Sequence, residues 1–97
     1  MPTHDEEDRF LADWSALSPT QRLAYRIALR KFIEDLRRGS FRKGLRIKRL
    51  EGTPDIWEMT WADDGRALFA YGASIRPGDP HIIWLRIGRH DILKDPR

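Results

Sequence analysis

Hydrophobic residues recur at helical spacing near the start of the chain. Four consecutive acidic residues come first, and the apolar positions that follow are Phe10, Leu11, Trp14 and Leu17. Acidic side chains interact favourably with the positive end of a helix dipole. The spacing therefore predicts a short first helix over residues 5–17.

A second helix is indicated by its start and stop signals. Ser18 precedes a proline and is followed three positions later by Gln21, which is the pattern of an N-cap with a capping box. Gly39 is a typical helix stop, so the helix is predicted over residues 19–38. Its apolar stripe consists of Tyr25, Ala28, Leu29, Phe32, Ile33 and Leu36.

Leu23 and Ile27 do not belong to this stripe, because they lie among arginines on the far face of the predicted helix. Two interpretations are open. Either the first helix packs against them as the other arm of a helical hairpin, or a partner protein covers them. We favour the hairpin.

After the second helix the hydrophobic period changes from that of a helix to that of strands. Alternating apolar and polar residues predict strands over residues 45–50, 56–62, 66–73 and 81–88, and an Asp-Asp-Gly turn joins the second to the third. The predicted fold is α+β. One domain over residues 1–97 should pack an N-terminal helical hairpin on a small, mainly antiparallel sheet of three to four strands.

Several charged residues occupy strand positions that should project from the sheet. Glu58 alternates with neighbouring tryptophans, and Arg66 opens the next strand. In the last strand Trp84, Arg86 and His90 share one parity. If these faces coincide, an acid, two permanent cations and a titratable imidazole converge on one small surface.

The net charge of +3 is unevenly distributed along the chain. Between residues 22 and 49 there are eleven Lys or Arg residues and only two acids. The excess continues beyond the predicted helix, so a solvated helix face does not explain all of it. Such a block favours a polyanionic partner, most simply RNA or DNA.

Several other classes of protein are disfavoured. The chain has no cysteine, and its three histidines lack metal-ligand spacing. It has no phosphate-binding glycine loop and no serine elbow, so we expect neither a metal nor a cofactor. The longest uncharged run, residues 67–75, is far shorter than the ~18 apolar residues of a membrane helix. The acidic start does not resemble a secretory signal, and we expect a cytoplasmic protein that binds no membrane.

The helical hairpin followed by GTPDIWEMTWADDGRALFAYG and HIIWLRIGRHDIL resembles the RelE/ParE superfamily, the small toxins of bacterial type II toxin–antitoxin systems. Within it, the RelE-like mRNA interferases are most similar, over residues 9–93. The resemblance implies a metal-independent endoribonuclease that cuts mRNA on the ribosome and so inhibits translation. The ribose 2′-hydroxyl would attack the adjacent phosphate, leaving a 2′,3′-cyclic phosphate. The implied partners are a cognate antitoxin, the ribosome and mRNA, with operator DNA bound only through the antitoxin.

Three catalytic roles follow from the resemblance. Arg66 matches the arginine that binds the scissile phosphate, and His90 matches a terminal position suited to the general acid. Glu58 stands where RelE has a lysine and would serve as a carboxylate base, while Thr60 replaces another lysine. The family's terminal tyrosine is missing. Its first strand is also nearly absent, so that either the sheet lacks an edge strand or residues 45–50 take its place.

Binding roles are implied for a wider set of residues. RNA should contact the cations of the basic stretch and the last strand, with a tryptophan available for base stacking; these residues are Arg42, Lys43, Arg46, Lys48, Arg49, Arg86, Arg89 and Trp84. An acidic or amphipathic segment of the antitoxin should contact Leu23, Ile27, Arg26 and Arg30.

Structural roles and other functions remain open. Arg66 could pair with Asp63 or Asp64 across the turn, or with Glu58 across the strands, and His90 could cap the strand end. A ParE-like inhibitor of DNA gyrase without nuclease activity is an alternative function. A catalytically weak member that acts mainly in a DNA-binding complex with its antitoxin is another.

Overall fold

The computed structural model describes residues 2–97. The elements in chain order are β1 (Thr3–Glu6), α1 (Asp8–Ser15), α2 (Pro19–Arg38), β2 (Lys48–Arg49), β3 (Trp57–Thr60), β4 (Gly65–Gly72) and β5 (His81–Arg89). Short 3₁₀ helices cover Lys43–Leu45 and His90–Lys94. The predicted α+β class is confirmed, with five strands in place of three to four.

The strands form one sheet in the order β1-β5-β4-β3-β2. All neighbouring strands are antiparallel except β1, which pairs with β5 in parallel. The expectation that the first strand is missing is therefore wrong. Backbone bonds from Thr3 N to Pro80 O (3.1 Å) and from Glu7 N to Trp84 O (3.0 Å) flank β1. Its side chains are largely exposed, so β1 lacks the apolar alternation that predicts a strand.

Helix α2 has the predicted boundaries. The Ser18 side chain accepts the Gln21 backbone N–H, and the Gln21 side chain accepts the Ser18 backbone N–H, so the capping box is formed. Gly39 ends the helix in the left-handed conformation, with φ of 85°. Helix α1 is shorter than the predicted residues 5–17, because Asp5 and Glu6 belong to β1 and the helix ends at Ser15.

The predicted packing of α1 against Leu23 and Ile27 is wrong. The two side chains are 58% and 48% exposed, respectively. Helix α1 instead packs on β5, and its aromatic residues meet those of α2 and the sheet. The ring contacts join Phe10, Trp14, Tyr25 and Trp84. This leaves an unpaired apolar strip on the outer face of α2.

The sheet carries a hydrophobic core on each face. The helix-side core includes Phe10, Tyr25, Phe32, Met59, Phe69 and Trp84. The opposite core is closed by the loop before β3 and the terminal 3₁₀ helix, and it consists of Leu50, Ile56, Leu68, Ala70, Leu85 and Ile92. Strand β4 is buried on both faces, which makes it the central support of the sheet.

A bulge in β5 changes which face its side chains reach. Leu68 pairs with Arg86 and Phe69 pairs with Trp84, so Leu85 is an extra residue between them. Such an insertion interrupts the strict alternation of side chains. Trp84 and Arg86 share a parity in the sequence, but they do not share a face of the sheet.

Candidate functional site

Side chains from β2, β3, β4 and the terminal 3₁₀ helix line a cleft of about 300 Å³. Its lining residues are Lys48, Arg49, Leu50, Glu51, Glu58, Arg66, His90 and Leu93. The structure thus brings together the three side chains to which the resemblance assigns catalytic roles. Two cations of the basic stretch line the same cleft.

Glu58 is the buried acid of this cleft, with only 5% of its side chain exposed. Lys48 is its direct partner in the antiparallel register, and Lys48 Nζ lies 3.9 Å from Glu58 Oε1. Arg66 Nε lies 4.0 Å from the same oxygen. Both distances exceed hydrogen-bond length. Among residues 2–97 no donor hydrogen-bonds the carboxylate.

Arg66 is held by the turn between β3 and β4. Its Nη1 donates to the carbonyl oxygens of Ala62 (3.3 Å), Asp63 (3.2 Å) and Gly65 (2.9 Å). The side chain is mostly buried, and its bonds go to carbonyls rather than to the neighbouring carboxylates. The other guanidinium nitrogens donate no hydrogen bond within the described chain. An anchored guanidinium with free donors suits a phosphate.

The segment that carries His90 is tied to the same turn. Arg89 Nε donates to Asp64 Oδ2 at 2.8 Å. This hydrogen bond lowers the pKa of Asp64, and a further bond from the His90 backbone N–H acts in the same direction. Both ends of the contact are solvent-exposed. Asp64 therefore connects the β3–β4 turn to the start of the terminal 3₁₀ helix.

Arg86 lies outside the cleft, contrary to the predicted convergence. Its Nε and Nη2 donate to the Asp13 carboxylate at 2.7 and 3.0 Å, and its Nη1 donates to Asp95 O at 2.6 Å. The Ile87 backbone N–H also donates to Asp13 at 3.1 Å. The guanidinium therefore joins β5 to α1 and to the C-terminal residues.

Trp84 lies in the same strand as Arg86, and the prediction that it stacks on an RNA base is also wrong. Its ring is buried in the helix-side core, where it contacts the rings of Phe10, Tyr25, Phe32 and Phe69. Because the ring is buried, neither of its faces is open to an RNA base. The bulge after Trp84 is what separates it from the projecting face.

The basic stretch is organised by Asp35, a fully buried carboxylate that the sequence analysis did not single out. Arg42 donates to it from its backbone N, Nε and Nη2, each at 2.9 Å, and Arg38 also pairs with it. The hydrogen bonds from the Arg42 side chain are the largest cause that holds the pKa of Asp35 well below its usual range. The sequence marks Asp35 only weakly, as one of the two acids between residues 22 and 49.

This pairing divides the cations predicted to bind RNA. The Arg42 guanidinium is engaged by Asp35, whereas Lys48 and Arg49 line the cleft. Lys43, Arg46 and Arg49 are exposed, and no carboxylate of residues 2–97 pairs with them. Arg89 is exposed but bound to Asp64. Among the residues predicted to bind RNA, the cations without a carboxylate hydrogen bond therefore lie between α2 and β3.

No group of three or more His, Asp or Glu side chains in residues 2–97 is arranged to hold a metal ion. Over the same residues no helix has both the length and the apolar composition that crossing a membrane requires.

No family model matches the chain, and no curated protein matches it either. Among solved structures, the fold is similar to that of a copper-bound mutant of a toxin from Helicobacter pylori, with a TM-score of 0.61 and 17% sequence identity. The match covers 94% of this chain and 97% of the other. At this identity the likeness shows a shared fold.

Proposed function

We propose that this chain is the toxin of a type II toxin–antitoxin system and that it cleaves mRNA on the ribosome in the cytoplasm. The observation that carries the proposal is the cleft in which Glu58, Arg66 and His90 lie beside Lys48. It combines a carboxylate, two cations and an imidazole, the group types that this cleavage needs. The fold likeness to a protein described as a toxin supports the first part of the proposal.

In the proposed reaction the ribose 2′-oxygen attacks the adjacent phosphorus and the bond from phosphorus to the 5′-oxygen breaks. Glu58 takes the proton of the 2′-hydroxyl, since its carboxylate accepts no hydrogen bond from residues 2–97. Arg66 and Lys48 face the developing charge on the phosphate oxygens. His90, in its protonated form, gives a proton to the departing 5′-oxygen, and solvent restores both groups afterwards.

In the proposed site, Lys48 takes over the positive charge of the family lysine that Glu58 replaces. The edge strand β2 supplies the cation that β3 of this chain lacks, because Lys48 pairs directly with Glu58 in the register of β2 and β3. The proposed site therefore keeps two cations next to the scissile phosphate, although their positions in the sequence differ from those of the family.

The antitoxin is proposed to cover the outer strip of α2. Leu23 and Ile27 are exposed there, and Arg26 and Arg30 flank them. An amphipathic helix with acidic residues at its edges matches an apolar strip bordered by arginines. Replacing both Leu23 and Ile27 by glutamate should abolish binding of the cognate antitoxin without unfolding the toxin, as gel filtration and circular dichroism would show.

Cleavage is best tested in a purified translation system with a reporter mRNA, mapping cuts by primer extension. Glu58→Gln and His90→Ala should each lower the cleavage rate by roughly 10²–10⁴-fold, the usual contribution of general acid–base catalysis. Arg66→Ala should cost about 10²–10³-fold, as loss of one charge-stabilising donor does. The matched control is Arg37→Ala, at an exposed arginine of α2 that does not line the cleft, and this variant should cut like the wild type.

The alternatives give different results in the same experiments. Intact mRNA together with stalled DNA gyrase would overturn the nuclease proposal and favour a gyrase inhibitor. Intact mRNA, unaffected gyrase and a DNA-bound complex with the antitoxin would favour the catalytically weak member. Cleavage that survives all three cleft substitutions would place the chemistry elsewhere.

A further inference from the structure

Three neighbouring cavities share lining residues and together form a furrow. The largest, about 390 Å³, lies between α2, the first 3₁₀ helix and the β3–β4 turn. It shares Arg46 and Thr60 with a second cavity of about 290 Å³. The second shares Lys48, Glu58 and Arg66 with the proposed catalytic cleft. The furrow therefore runs from helix α2 to the site of the proposed reaction.

Arg46 stands at the junction of the first two cavities in a conformation that is unfavourable for its residue type. Its φ of 48° and ψ of 47° are those of the left-handed region, and it is the one non-glycine residue of positive φ in residues 2–97. Only glycine and, less often, asparagine or aspartate enter this region easily. Retaining arginine here at a cost in strain points to a use for its side chain.

The walls of the largest cavity carry unpaired positive charge. Lys31 and Arg46 both line it, and no carboxylate of residues 2–97 pairs with either side chain. Arg42 also lines it but is already bound to Asp35. One acid, Asp63, contributes to the wall, and Trp61 reaches it only with the edge of a mostly buried ring. Two free cations in an open cavity suit the phosphates of a nucleic acid strand.

We propose that the largest cavity is a second subsite for single-stranded RNA, in which Arg46 binds the backbone phosphate between this subsite and the cleft and Lys31 binds a phosphate further out. The subsite rests on the proposed function, because it extends the substrate path away from the scissile phosphate. A strand that follows the furrow would pass Lys31, Arg46, Lys48 and Arg66 in that order.

The furrow fits one polynucleotide strand better than an acidic helix of a protein partner. Its free cations continue through all three cavities, whereas the exposed apolar pair on α2 includes only one residue, Ile27, that lines the furrow. Repeated single charges along a narrow path correspond to successive phosphates.

The test measures binding in the absence of cleavage, by fluorescence anisotropy with a labelled nine-nucleotide 2′-O-methyl RNA over a range of salt concentrations. Arg46→Gly and Lys31→Ala should each weaken binding by roughly 5–10-fold and reduce the slope of log Kd against log salt by about 0.7, one phosphate contact for a single strand. Arg37→Ala is the matched control and should bind within about twofold of the wild type.

Arg46→Gly also controls for folding. Glycine adopts the observed backbone without strain, which offsets its greater freedom in the unfolded chain, so this variant should melt close to the wild type. Arg46→Lys keeps the charge and should retain most of the binding. Equal RNA binding by Arg46→Gly and Arg37→Ala would overturn the subsite. So would unchanged RNA binding together with weakened binding of a polyglutamate peptide, since the furrow would then be a protein site.

The outcomes separate this proposal from the proposed nuclease activity. RNA binding that depends on Arg46, together with intact mRNA in the translation system, would support the subsite and overturn the nuclease. If the wild type cleaves mRNA and Arg46→Gly changes neither the cleavage rate nor the RNA affinity, the nuclease is supported and the subsite is overturned.

Discussion

Replacing Asp13 by alanine removes the ion pair that holds α1 against β5. In the native protein the Asp13 carboxylate accepts two hydrogen bonds from Arg86, at 2.7 and 3.0 Å, and one from the Ile87 backbone, at 3.1 Å. The side chains of Asp13 and Arg86 are only 18% and 11% exposed. The substitution would therefore leave a nearly buried guanidinium without its counter-charge.

The magnitude follows from this burial. Removing one partner of a buried pair costs about 3–5 kcal/mol. Arg86 would keep its bond to the Asp95 carbonyl, and water can reach part of the site, so we expect a loss of roughly 2–4 kcal/mol in the free energy of unfolding. For a domain of this size the melting temperature should fall on the order of 10–20 °C.

The assay is urea denaturation followed by circular dichroism, with Asp55→Ala as the matched control. Asp55 pairs with Arg97 at 3.4 Å, but both side chains are about half exposed, so its removal should cost at most about 1 kcal/mol. Adding Arg86→Ala to Asp13→Ala should cost less than Arg86→Ala alone in the wild type. Equal losses for Asp13→Ala and Asp55→Ala would refute the structural role assigned to this pair.

Two further predictions concern the β3–β4 turn. A Cβ on Gly65 would lie 2.6 Å from atoms of the Trp61 ring. Gly65→Ala should therefore lower the free energy of unfolding by about 1–3 kcal/mol in urea denaturation. The control is Gly44→Ala, whose Cβ would meet no atom within 4 Å and which should be nearly neutral. Because Arg89 lowers the pKa of Asp64 in the folded state, this carboxylate stabilises the fold above its ordinary pKa of 3.8, and the contribution is lost as the pH falls through the lower folded pKa. The urea midpoint of the wild type should therefore fall more steeply between pH 5 and pH 2 than that of Asp64→Asn; parallel curves would contradict the assignment.

Helix α2 was predictable because its signals are local. Ser18 and Gln21 bond to each other across three residues, and Gly39 ends the helix through its own backbone conformation. Such contacts depend on neighbouring positions alone. Strand β1 shows the opposite case, since it is defined by pairing with β5 more than seventy residues away and its exposed side chains carry no hydrophobic pattern.

The candidate site was predicted in part. Alternation along β3 and β4, together with the family resemblance, selected Glu58, Arg66 and His90, and the structure places all three in one cleft. The assignment of Trp84 to the same surface failed because the bulge at Leu85 puts its ring on the other face. Arg86 pairs with Leu68 on the face of Glu58, but its guanidinium is bound to Asp13 and to the Asp95 carbonyl instead of lining the cleft. A single inserted residue of this kind leaves no reliable mark in the sequence.

The sequence by itself determined the elements with local periodicity and caps, the α+β class and the concentration of positive charge after α2. Only the tertiary structure decided how those charges are used. It binds Arg42 to buried Asp35 and Arg86 to Asp13, but leaves Lys48 and Arg66 beside Glu58. Which cation meets which carboxylate depends on distances between residues far apart in the chain, and these distances arise only when the sheet and helices pack together.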